Sequence, residues 1–488
     1  MFLRRGLRFI TDRIAFLRVR HYSDVLRAGR RLRSKRVKLG KLETMKLEND
    51  QFRRILSPEM KVVEELFKKN GYQLRIAGGA VRDLLMGITP HDIDFASTAT
   101  PTQMKELFES EGIRMINASG ERHGTITARV NDKENFEITT LRVDTVTDGR
   151  HAEVEFTTDW QMDANRRDLT VNAMFLSFDG TVFDYFKGIE HLAQRKVLFV
   201  GDAARRIQED YLRILRYFRF YGRLAVDENA HDASTLEAIR LNTDGLASVS
   251  GERLYTELQK IVDGRFHHSM IRLMAELGVL QYLGFPRNPN LDEFSRVCKR
   301  CQDLEALAPT KLAALLRTED EIMQLHARLK LSNFEKHLLL YINRYRNALS
   351  NLSDEEKLRT SQAYLYRNDF KLGAPKDRLR WIKELLKYEG EGDVLQKMEA
   401  WDPPKCPVSG FDLQLFGFRK GPQLGEVVGS LREIWLESDF TLGKEELLQR
   451  ARVIREELRS RRSREPSPKG SPSPDGDCNI ISERDKKT

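Results

Sequence analysis

The sequence predicts an α+β fold in which a mixed-sheet N-terminal domain is followed by an all-helical remainder. Between about residues 45 and 200, strand-like apolar segments alternate with helical patterns, which indicates one domain containing both. After about residue 200 strand signals almost vanish, and apolar residues recur at helical spacing. At 488 residues the chain is too long for a single core, so about three domains are expected.

The elements of the first domain follow from local signals. Ser57–Met60 predicts the start of a helix, because proline is favoured in a first turn; the helix should run through Lys69 and stop at Asn70-Gly71. A second helix is expected over Thr102–Ser110, after Pro101. Strands are predicted at five segments: Leu74–Ile76, Ile93–Phe95, Ile126–Val130, Phe136–Leu141 and Ala173–Phe178.

The second half shows helical spacing throughout and no fixed-period repeat, so a solenoid is not expected. The clearest helical segments are Asp210–Leu224, Gly251–Val262, Ser269–Leu277 and Lys311–Leu316. Trp401–Pro407 predicts a linker before a last helical unit that runs to about residue 460. Residues 461–488 are predicted to be disordered, because residues 464–474 contain four prolines and three serines.

The net charge of +9 is concentrated at the N-terminus. Residues 1–44 hold 14 Lys/Arg and three Asp/Glu, a net charge of +11, so the rest of the chain sums to −2. Leucine and isoleucine recur there at helical spacing among arginines, which indicates a mitochondrial presequence over residues 1–44. An RNA-binding arm or an error in the gene start is the alternative. Initiation at Met45 would yield a form without the presequence, for the cytoplasm and nucleus.

Cysteine content and hydropathy narrow the protein class. Four cysteines in 488 residues do not form a disulfide framework, which favours a reducing compartment. Cys298 and Cys301 form a single C-x-x-C pair, so a zinc site lacks ligands and two helical cysteines are the simpler interpretation. No apolar run is long enough to cross a bilayer.

A glycine turn and two aspartates outline a site for nucleotidyl transfer. Gly78 and Gly79 follow the strand Leu74–Ile76 and let backbone amides approach a phosphate, while Arg82 adds a positive charge. Asp92 and Asp94 are two residues apart, so on a strand both side chains share one face. Two carboxylates on one face suit a pair of Mg²⁺ ions that hold a triphosphate.

Two further clusters are chemically suggestive. Glu137 alternates with apolar neighbours and is either a third carboxylate near the metals or part of a solvated strand face. In Arg166–Asn172, a helix would set Asp168 and Asn172 one turn apart. Arg167 would then contact phosphate and Asp168 a ribose hydroxyl; the alternative is a surface salt bridge.

A basic helix is predicted over Asp210–Leu224. Asp210, Arg213, Arg216 and Arg219 recur every third residue and would wind around the helix as a basic track headed by one acid. Leucines and phenylalanine between them form a packing stripe. An ordinary amphipathic helix with its arginines in solvent explains this segment equally well.

The order of these motifs resembles the class II CCA-adding tRNA nucleotidyltransferases, relatives of polymerase beta. Gly-Gly-Ala-Val-Arg-Asp, Asp-Ile-Asp, Arg-Arg-Asp-x-x-x-Asn and Glu-Asp-x-x-Arg-x-x-Arg occur within about 140 residues, and the resemblance extends over roughly residues 45 to 460. It is strongest to the eukaryotic mitochondrial branch, in Pro101–Glu106, His123–Arg129 and Asp148–Phe156.

The resemblance implies a domain order and an activity. A nucleotidyltransferase head would span residues 45–200, a neck with the nucleobase-selecting helix 201–265, a body 266–400 and a tRNA-binding tail 401–460. The activity would be template-independent addition of C, C and A to the 3′ end of tRNA from CTP and ATP, with release of pyrophosphate.

The resemblance also implies roles for particular residues. Asp92 and Asp94 would hold Mg²⁺, with Glu137 as a third catalytic carboxylate. The nucleotide-binding residues would be Gly78, Gly79, Arg82, Arg167, Asp168, Asn172, Asp210, Arg213, Arg216 and Arg219. Cytosine and adenine both offer an amino donor beside an unprotonated ring nitrogen, so Asp210 as acceptor and Arg213 as donor would select them, each pairing contributing about 1–3 kcal/mol. Separately from the resemblance, the segment Asp144–Trp160 contains glycine and is polar and charged, so we hypothesise a mobile loop there that changes the shape of the pocket between C and A addition.

Three other functions are weighed against this one. A bacterial-type poly(A) polymerase shares the head motifs. A non-catalytic RNA-binding protein would need degraded metal ligands, yet Asp92 and Asp94 are both present. A phosphohydrolase based on His231-Asp232 lacks recognisable further ligands. The expected partners are tRNA, CTP and ATP, and no membrane association is expected. The protein is expected to be either a monomer or a homodimer.

Overall fold

The computed structural model of the chain describes residues 42–116, 118–148, 151–367 and 375–464. These residues form two compact units. The first consists of the chain up to Leu291 together with Asp320–Leu331, and the second of Asp292–Glu319 with the residues from Ser332 onward. The predicted division into head, neck, body and tail is finer than this and stays a prediction. The predicted presequence up to residue 41, and the predicted disordered tail beyond residue 464, lie outside the described residues.

The first unit is built on a mixed sheet. Its strands and those of a small hairpin are β1 Glu43–Lys46, β2 Leu74–Ala77, β3 Asp94–Ser97, β4 Arg114–Ile116, β5 Thr125–Val130, β6 Glu134–Thr140, β7 Arg142–Asp148, β8 His151–Phe156, β9 Phe175–Leu176 and β10 Thr181–Asp184. Eight of them pair in the order β1-β10-β9-β2-β3-β6-β5-β4, and β7 pairs with β8 alone. Within the eight-stranded sheet β3 and β6 are parallel and the other pairs antiparallel, which confirms the predicted mixed sheet.

Apart from the strands, the regular structure of the described residues consists mostly of α-helices. They are α1 Asp50–Ile55, α2 Pro58–Lys69, α3 Gly79–Leu85, α4 Pro101–Ser110, α5 Trp160–Arg166, α6 Gly188–Ala193, α7 Ala203–Glu209, α8 Arg213–Leu224, α9 Ala233–Arg240, α10 Gly251–Val262, α11 His267–Glu276, α12 Val279–Tyr282, α13 Leu291–Arg300, α14 Ala308–Leu312, α15 Glu319–Leu329, α16 Asn333–Tyr345, α17 Asp354–Tyr366, α18 Pro375–Glu389, α19 Gly392–Ala400, α20 Gly410–Leu415, α21 Pro422–Glu437 and α22 Lys444–Arg464. Short 3₁₀ turns cover Ala118–His123, Thr170–Asn172, Thr243–Ser248 and Ala313–Leu315. No strand occurs among the described residues after Asp184, as predicted.

Local signals explain where the early helices begin. Ser57 caps α2 by accepting from the Met60 amide at 3.1 Å, and Thr100 with Gln103 forms a capping box at α4. The rings of Phe67 on α2 and Phe108 on α4 pack 6.0 Å apart. These caps and apolar contacts are readable from the sequence, and both helices form where they were expected.

The core beside the glycine turn joins α5 to the sheet. Trp160 and Ala164 of α5 pack with Ala77 of β2, Ala96 of β3 and Phe175 of β9. The rings of Trp160 and Phe175 meet edge to face at 4.8 Å. This packing fixes the C-terminal end of α5, from which Arg166 and Arg167 extend.

Among its described residues, the regular structure of the second unit is helical throughout. Its C-terminal part has a core of nine buried residues that includes Leu413, Val427, Leu431, Trp435 and Leu447. Trp401–Pro407 is irregular, as the predicted linker requires, and α22 extends to Arg464 rather than to residue 460. Cys298 lies on α13 with Cys301 just after it; both are buried free thiols, and burial raises the pKa of Cys298 to about 12.

Several predicted element boundaries are wrong. β3 begins at Asp94, so Asp92 lies before the strand. Asp144–Trp160 is not a loop: most of it forms the β7–β8 hairpin, whose Gly149 and Arg150 lie outside the described residues. The helix expected over Arg166–Asn172 ends at Arg166, because the Arg167 backbone is extended at φ −70° and ψ 160°.

The basic helix also starts later than predicted. Asp210 has an extended backbone, with φ −153° and ψ 104°, and its Oδ1 accepts from the Leu212 amide at 3.1 Å. Aspartate competes with helical hydrogen bonding in this way at turns. α8 therefore begins at Arg213, and Asp210 stands in the turn before it.

Candidate active site

A cavity of about 780 Å³ lies in the first unit, where the ends of β2, β3 and β6 meet α8 and α10. It is lined by every predicted catalytic and nucleotide-binding residue: Gly78, Gly79, Arg82, Asp92, Asp94, Glu137, Arg167, Asp168, Asn172, Asp210, Arg213, Arg216 and Arg219. Residues up to 141 positions apart in the sequence thus line one cavity. Spacing along the chain alone would not have required them to come together. Their individual roles stay predictions.

The glycine turn after β2 permits a close approach of backbone and arginine. Gly78 has φ +65°, in the region that favours glycine, and a Cβ there would lie 2.7 Å from Arg167 Nη1. The Gly78 amide donates to the Met174 carbonyl at 3.0 Å, which ties the turn to the segment before β9. Any larger residue at position 78 would displace Arg167.

Arg82 lies behind the turn rather than free in the cavity. It is only 3% exposed; its Nε donates to Asp83 Oδ1 at 3.0 Å and its Nη1 to Asn172 Oδ1 at 2.5 Å. Arg223 of α8 pairs with the other Asp83 oxygen at 2.9 Å. Burial lowers the pKa of Arg82, and the Asp83 carboxylate opposes that shift. Arg82 is therefore a fixed, largely neutralised charge beneath the turn.

Two carboxylates face each other across the parallel strand pair. The register sets Asp94 of β3 opposite Glu137 of β6. Partial removal from water, and then the charge of Asp92, raises the pKa of Asp94, against the attraction of Arg167. Partial removal from water and the charge of Asp94 raise the pKa of Glu137. Crowded carboxylates with raised pKa values are the groups that a divalent cation would stabilise.

Asp92 differs from this pair. Its side chain is 84% exposed, and its Oδ1 lies 2.9 Å from His91 Nδ1. Within the described residues, no three His, Cys, Asp or Glu side chains are grouped closely enough to hold a metal ion.

Asp163 does not line the cavity but contacts two arginines that do, and the sequence did not predict it. It is 1% exposed; its oxygens accept from Arg166 Nε at 2.7 Å and from Arg167 Nη2 at 3.2 Å. Burial alone would raise the pKa of Asp163, but the two arginines lower it overall. The i, i+3 spacing from Asp163 to Arg166 on α5 was a signal that could have revealed this ion pair.

Asp168 and Asn172 are joined although no helix links them. Asn172 Nδ2 donates to Asp168 Oδ1 at 3.2 Å, and Arg216 Nε of α8 donates to Asp168 Oδ2 at 2.7 Å. Burial opposes ionisation of Asp168, yet Arg216 brings its pKa below the ordinary value. Arg216 is therefore bound to Asp168. The alternative of an ordinary amphipathic helix predicted that this arginine would point into solvent, and it does not.

Asp210 and Arg213 are held from several directions. Asp210 Oδ2 accepts from Arg253 Nη2 of α10 at 2.8 Å. Arg213 Nη1 donates to Glu209 Oε2 and to the Arg206 carbonyl, both at 2.9 Å, and its Nη2 donates to the Arg166 carbonyl at 2.8 Å. Asp210 and Arg213 thus present an immobilised acceptor and an immobilised donor in the lining of one cavity.

Helix α10 supplies contacts that the sequence did not reveal. Besides Arg253, Glu257 accepts from Arg219 Nη1 at 3.0 Å and is buried. Phe220 lines the cavity among arginines: the guanidinium carbons of Arg82 and Arg219 each lie 4.9 Å from its ring centroid. In the sequence of α10, Arg253 and Glu257 resemble ordinary solvent-facing residues of an amphipathic helix. Their contacts with Asp210 and Arg219 become apparent only when α10 is seen packed beside α8.

The chain matches two family models. The Poly A polymerase head domain matches residues 74–198, and the probable RNA and SrmB-binding site of polymerase A matches residues 232–293. Among solved structures, the Bacillus stearothermophilus CCA-adding enzyme in complex with CTP aligns with a TM-score of 0.63 at 24% identity, over 85% of this chain and 100% of that one. The Thermotoga maritima CCA-adding enzyme complexed with tRNA aligns with a TM-score of 0.59 at 20% identity, over 84% and 99%. Both show that the fold is shared.

Curated proteins give a closer match. The chain is 51% identical over 409 residues to mouse CCA tRNA nucleotidyltransferase 1, mitochondrial, covering 83% of this chain and 93% of that protein. The human protein of the same name is 51% identical over 408 residues, with the same coverage. None of the described helices is long and apolar enough to cross a membrane. The cavity, the fold and these identities together show that the chain is an enzyme of the CCA tRNA nucleotidyltransferase family, whose members use a divalent metal ion.

Proposed function

We propose that this enzyme adds C, C and A in turn to the 3′ end of tRNA from CTP and ATP, without a nucleic-acid template, and releases pyrophosphate at each step. The observation that carries the proposal is the immobilised pair Asp210 and Arg213 in the cavity that also contains Asp94 and Glu137. One cavity then holds both a base-selecting edge and the carboxylates for phosphoryl chemistry.

Base selection follows from hydrogen-bond direction. Asp210 can only accept and Arg213 can only donate, so the pair complements the amino group and ring nitrogen of cytosine or adenine. Uracil and guanine offer a carbonyl and a ring N–H at those positions and would leave both side chains unpaired. Each correct pairing is expected to contribute about 1–3 kcal/mol of discrimination. Arg216 and Arg219 orient this wall through Asp168 and Glu257.

The triphosphate and ribose would lie at the glycine turn. The backbone at Gly78 and Gly79 and the guanidinium of Arg167 border the cavity there, with Arg82 and Asn172 beneath. Asp168 keeps unused lone pairs after accepting from Arg216 and Asn172, so it can still accept from a ribose hydroxyl. These groups would hold the α-phosphate beside Asp94.

Asp92 and Asp94 would hold Mg²⁺, with Glu137 as the adjacent carboxylate. Bound there, a pair of ions would neutralise the triphosphate and lower the pKa of the attacking 3′-hydroxyl. The raised pKa values of Asp94 and Glu137 support this assignment. Partial burial and neighbouring carboxylates outweigh the attraction of Arg167 for Asp94, and a bound cation would favour the charged form of both side chains. Asp92 would have to turn away from His91 to take part.

The helical second unit would bind the tRNA through phosphate contacts, with residues 401–460 as its tail. A cavity of about 480 Å³ in this unit is lined by Lys376, Arg378, Lys405 and Arg432, beside Tyr366 and two prolines. None of the described lining residues is acidic. Four cations without a carboxylate among them suit a phosphate backbone.

The mitochondrial names of the mouse and human relatives support a mitochondrial location. We further propose that a form started at Met45 serves the cytoplasm and nucleus. Met45 lies in the edge strand β1, so this form would lack Glu43 and Thr44, half of that strand.

The decisive experiment uses tRNA without its CCA end. The protein is incubated with each nucleoside triphosphate alone and with all four together, and the products are sequenced. We expect two C residues from CTP alone and a single A only after CC. A run of A residues would instead indicate a poly(A) polymerase. This alternative is worth testing because the family model that matches the head is named after that enzyme. Replacing Asp94 by Ala should abolish addition while tRNA binding persists.

A further inference from the structure

Two threonine hydroxyls form part of the cavity wall beside the carboxylates and have no role in the function proposed so far. Thr125 opens β5 and Thr139 lies directly opposite it on β6. Their Oγ1 atoms are 2.9 Å apart, both side chains are half-buried, and both line the cavity. Gly124, with φ +83°, lets the chain turn into β5, since a Cβ there would lie 2.8 Å from the ring of Phe156.

The pair shares a sheet face with the carboxylates. Thr139 is two residues after Glu137 on β6, so both side chains point to the same face, about 7 Å apart along the strand. Glu137 in turn stands opposite Asp94. The two hydroxyls are therefore the uncharged polar groups next to the place where a 3′-hydroxyl would be activated.

Strand order assigns the two reactants to opposite sides. The sheet runs β2-β3-β6-β5, so the glycine turn lies at one side of the carboxylates and the threonine pair at the other. In phosphoryl transfer the attacking and leaving oxygens are roughly in line across the phosphorus. With the triphosphate at the glycine turn, the sugar that carries the attacking oxygen lies on the β5–β6 side.

The hydrogen-bond capacity of the pair matches a 2′-hydroxyl. Each threonine offers one donor and two lone pairs, and their mutual bond uses only one proton. Within the described residues neither hydroxyl has another hydrogen-bond partner, which leaves one donor and several acceptor positions directed to the cavity. A ribose 2′-hydroxyl is both donor and acceptor, and it is the group by which proteins distinguish RNA from DNA.

We propose that Thr125 and Thr139 bind the 2′-hydroxyl of the terminal ribose of the acceptor and so make the enzyme selective for an RNA 3′ end. This inference rests on the proposed function and deepens it by naming what recognises the acceptor sugar. A 2′-deoxy end leaves the pair facing the cavity without a partner, which disfavours its binding.

The test compares tRNA acceptors that end in a ribose or a 2′-deoxyribose while keeping the 3′-hydroxyl. The wild-type enzyme is expected to show about tenfold higher kcat/KM for addition of C to the ribose end. Thr139→Val keeps the side-chain shape but removes the hydroxyl, and it should reduce this ratio nearly to one by slowing only the ribose acceptor. Thr139→Ser keeps the hydroxyl and should retain the preference.

Two internal controls separate recognition from packing. The ratio of CTP to dCTP use should be the same in wild type and Thr139→Val, because the incoming sugar lies on the other side of the carboxylates. Thr125→Val provides an independent variant should Thr139→Val not fold, as judged by its thermal melt. A CTP/dCTP ratio that changes in place of the acceptor ratio, or a Ser variant that behaves like Val, would overturn the inference.

The outcomes also separate this inference from the proposed function. Failure of the wild-type enzyme to extend any tRNA would contradict the function itself. Equal extension of ribose and deoxyribose ends by an active wild-type enzyme would contradict only the role of the threonines.

Discussion

Replacing Arg253 by Ala is expected to lower the discrimination between CTP and UTP while leaving the affinity for tRNA unchanged. Arg253 does not belong to the predicted base-selecting residues, but its Nη2 lies 2.8 Å from Asp210 Oδ2. Without this bond the carboxylate of Asp210 keeps the Leu212 amide as a partner of Oδ1, but its Oδ2 loses the guanidinium that holds it. It then no longer offers a fixed acceptor to the amino group of the base.

The magnitude follows from the exposure of the pair. A hydrogen bond between charged groups contributes about 1.5–3 kcal/mol. The side chains of Arg253 and Asp210 are 34% and 26% exposed, so solvent screening reduces the benefit. We therefore expect Arg253→Ala to lose about 1–2 kcal/mol of the discrimination between CTP and UTP, since exposed ion pairs contribute less than buried ones. That corresponds to a loss of about 5- to 30-fold in selectivity.

The assay measures kcat/KM for CTP and for UTP on tRNA without its CCA end. Arg253→Lys keeps the charge but not the planar fork and should give an intermediate ratio. Arg240→Ala, which removes an exposed pair with Glu237 on α9, is the matched control and should keep the wild-type ratio. A CTP/UTP ratio unchanged in Arg253→Ala would refute the reasoning that an anchored Asp210 selects the base.

Three further predictions concern stability, pH and tRNA binding. Asp163→Asn should destabilise the fold by about 3–5 kcal/mol in denaturant melts, because it removes a buried ion-pair partner. The pKa of Asp163 is lowered in the folded protein, so this carboxylate stabilises the fold above about pH 4. Its stabilisation is lost as the pH falls through the folded pKa. Acidification should therefore lower the free energy of unfolding less in Asp163→Asn than in the wild type. The pKa values of Asp94 and Glu137 are raised, so activity should begin to fall on acidification at a pH above the ordinary pKa range of carboxylates. Metal and proton compete for these carboxylates, so a higher Mg²⁺ concentration should shift this fall in the pH–rate profile to lower pH. Arg432→Ala should raise KM for tRNA and reduce the salt slope of binding by about one, whereas Lys420→Ala, an exposed cation outside that cavity, should not.

The local chemistry of the site was largely predictable. The glycine turn after β2 follows from Gly78 and Gly79, and the helix starts at Pro58 and Pro101 follow from cap residues. Such features depend on neighbours within about four residues, where spacing and backbone preference act directly. The mixed sheet and the helical remainder were therefore correctly predicted.

Element boundaries near the site were predicted less well. Asp210 and Arg167 leave helical geometry because long-range partners and local turns outweigh helix spacing. The hairpin of β7 and β8 was missed although Ala152, Val154 and Phe156 alternate with polar residues along β8, because the glycine and the charged residues of this segment are also typical of a loop.

By itself, the sequence determined the fold class, the family resemblance and thirteen of the residues that line the cavity. Only the tertiary structure decided that Asp94 faces Glu137, that Arg216 is bound to Asp168, and that Arg253 holds Asp210 from a different helix. The physical reason is that these contacts join residues 43 or more positions apart. Their geometry is set by how strands register and helices pack, which residue spacing along the chain does not specify.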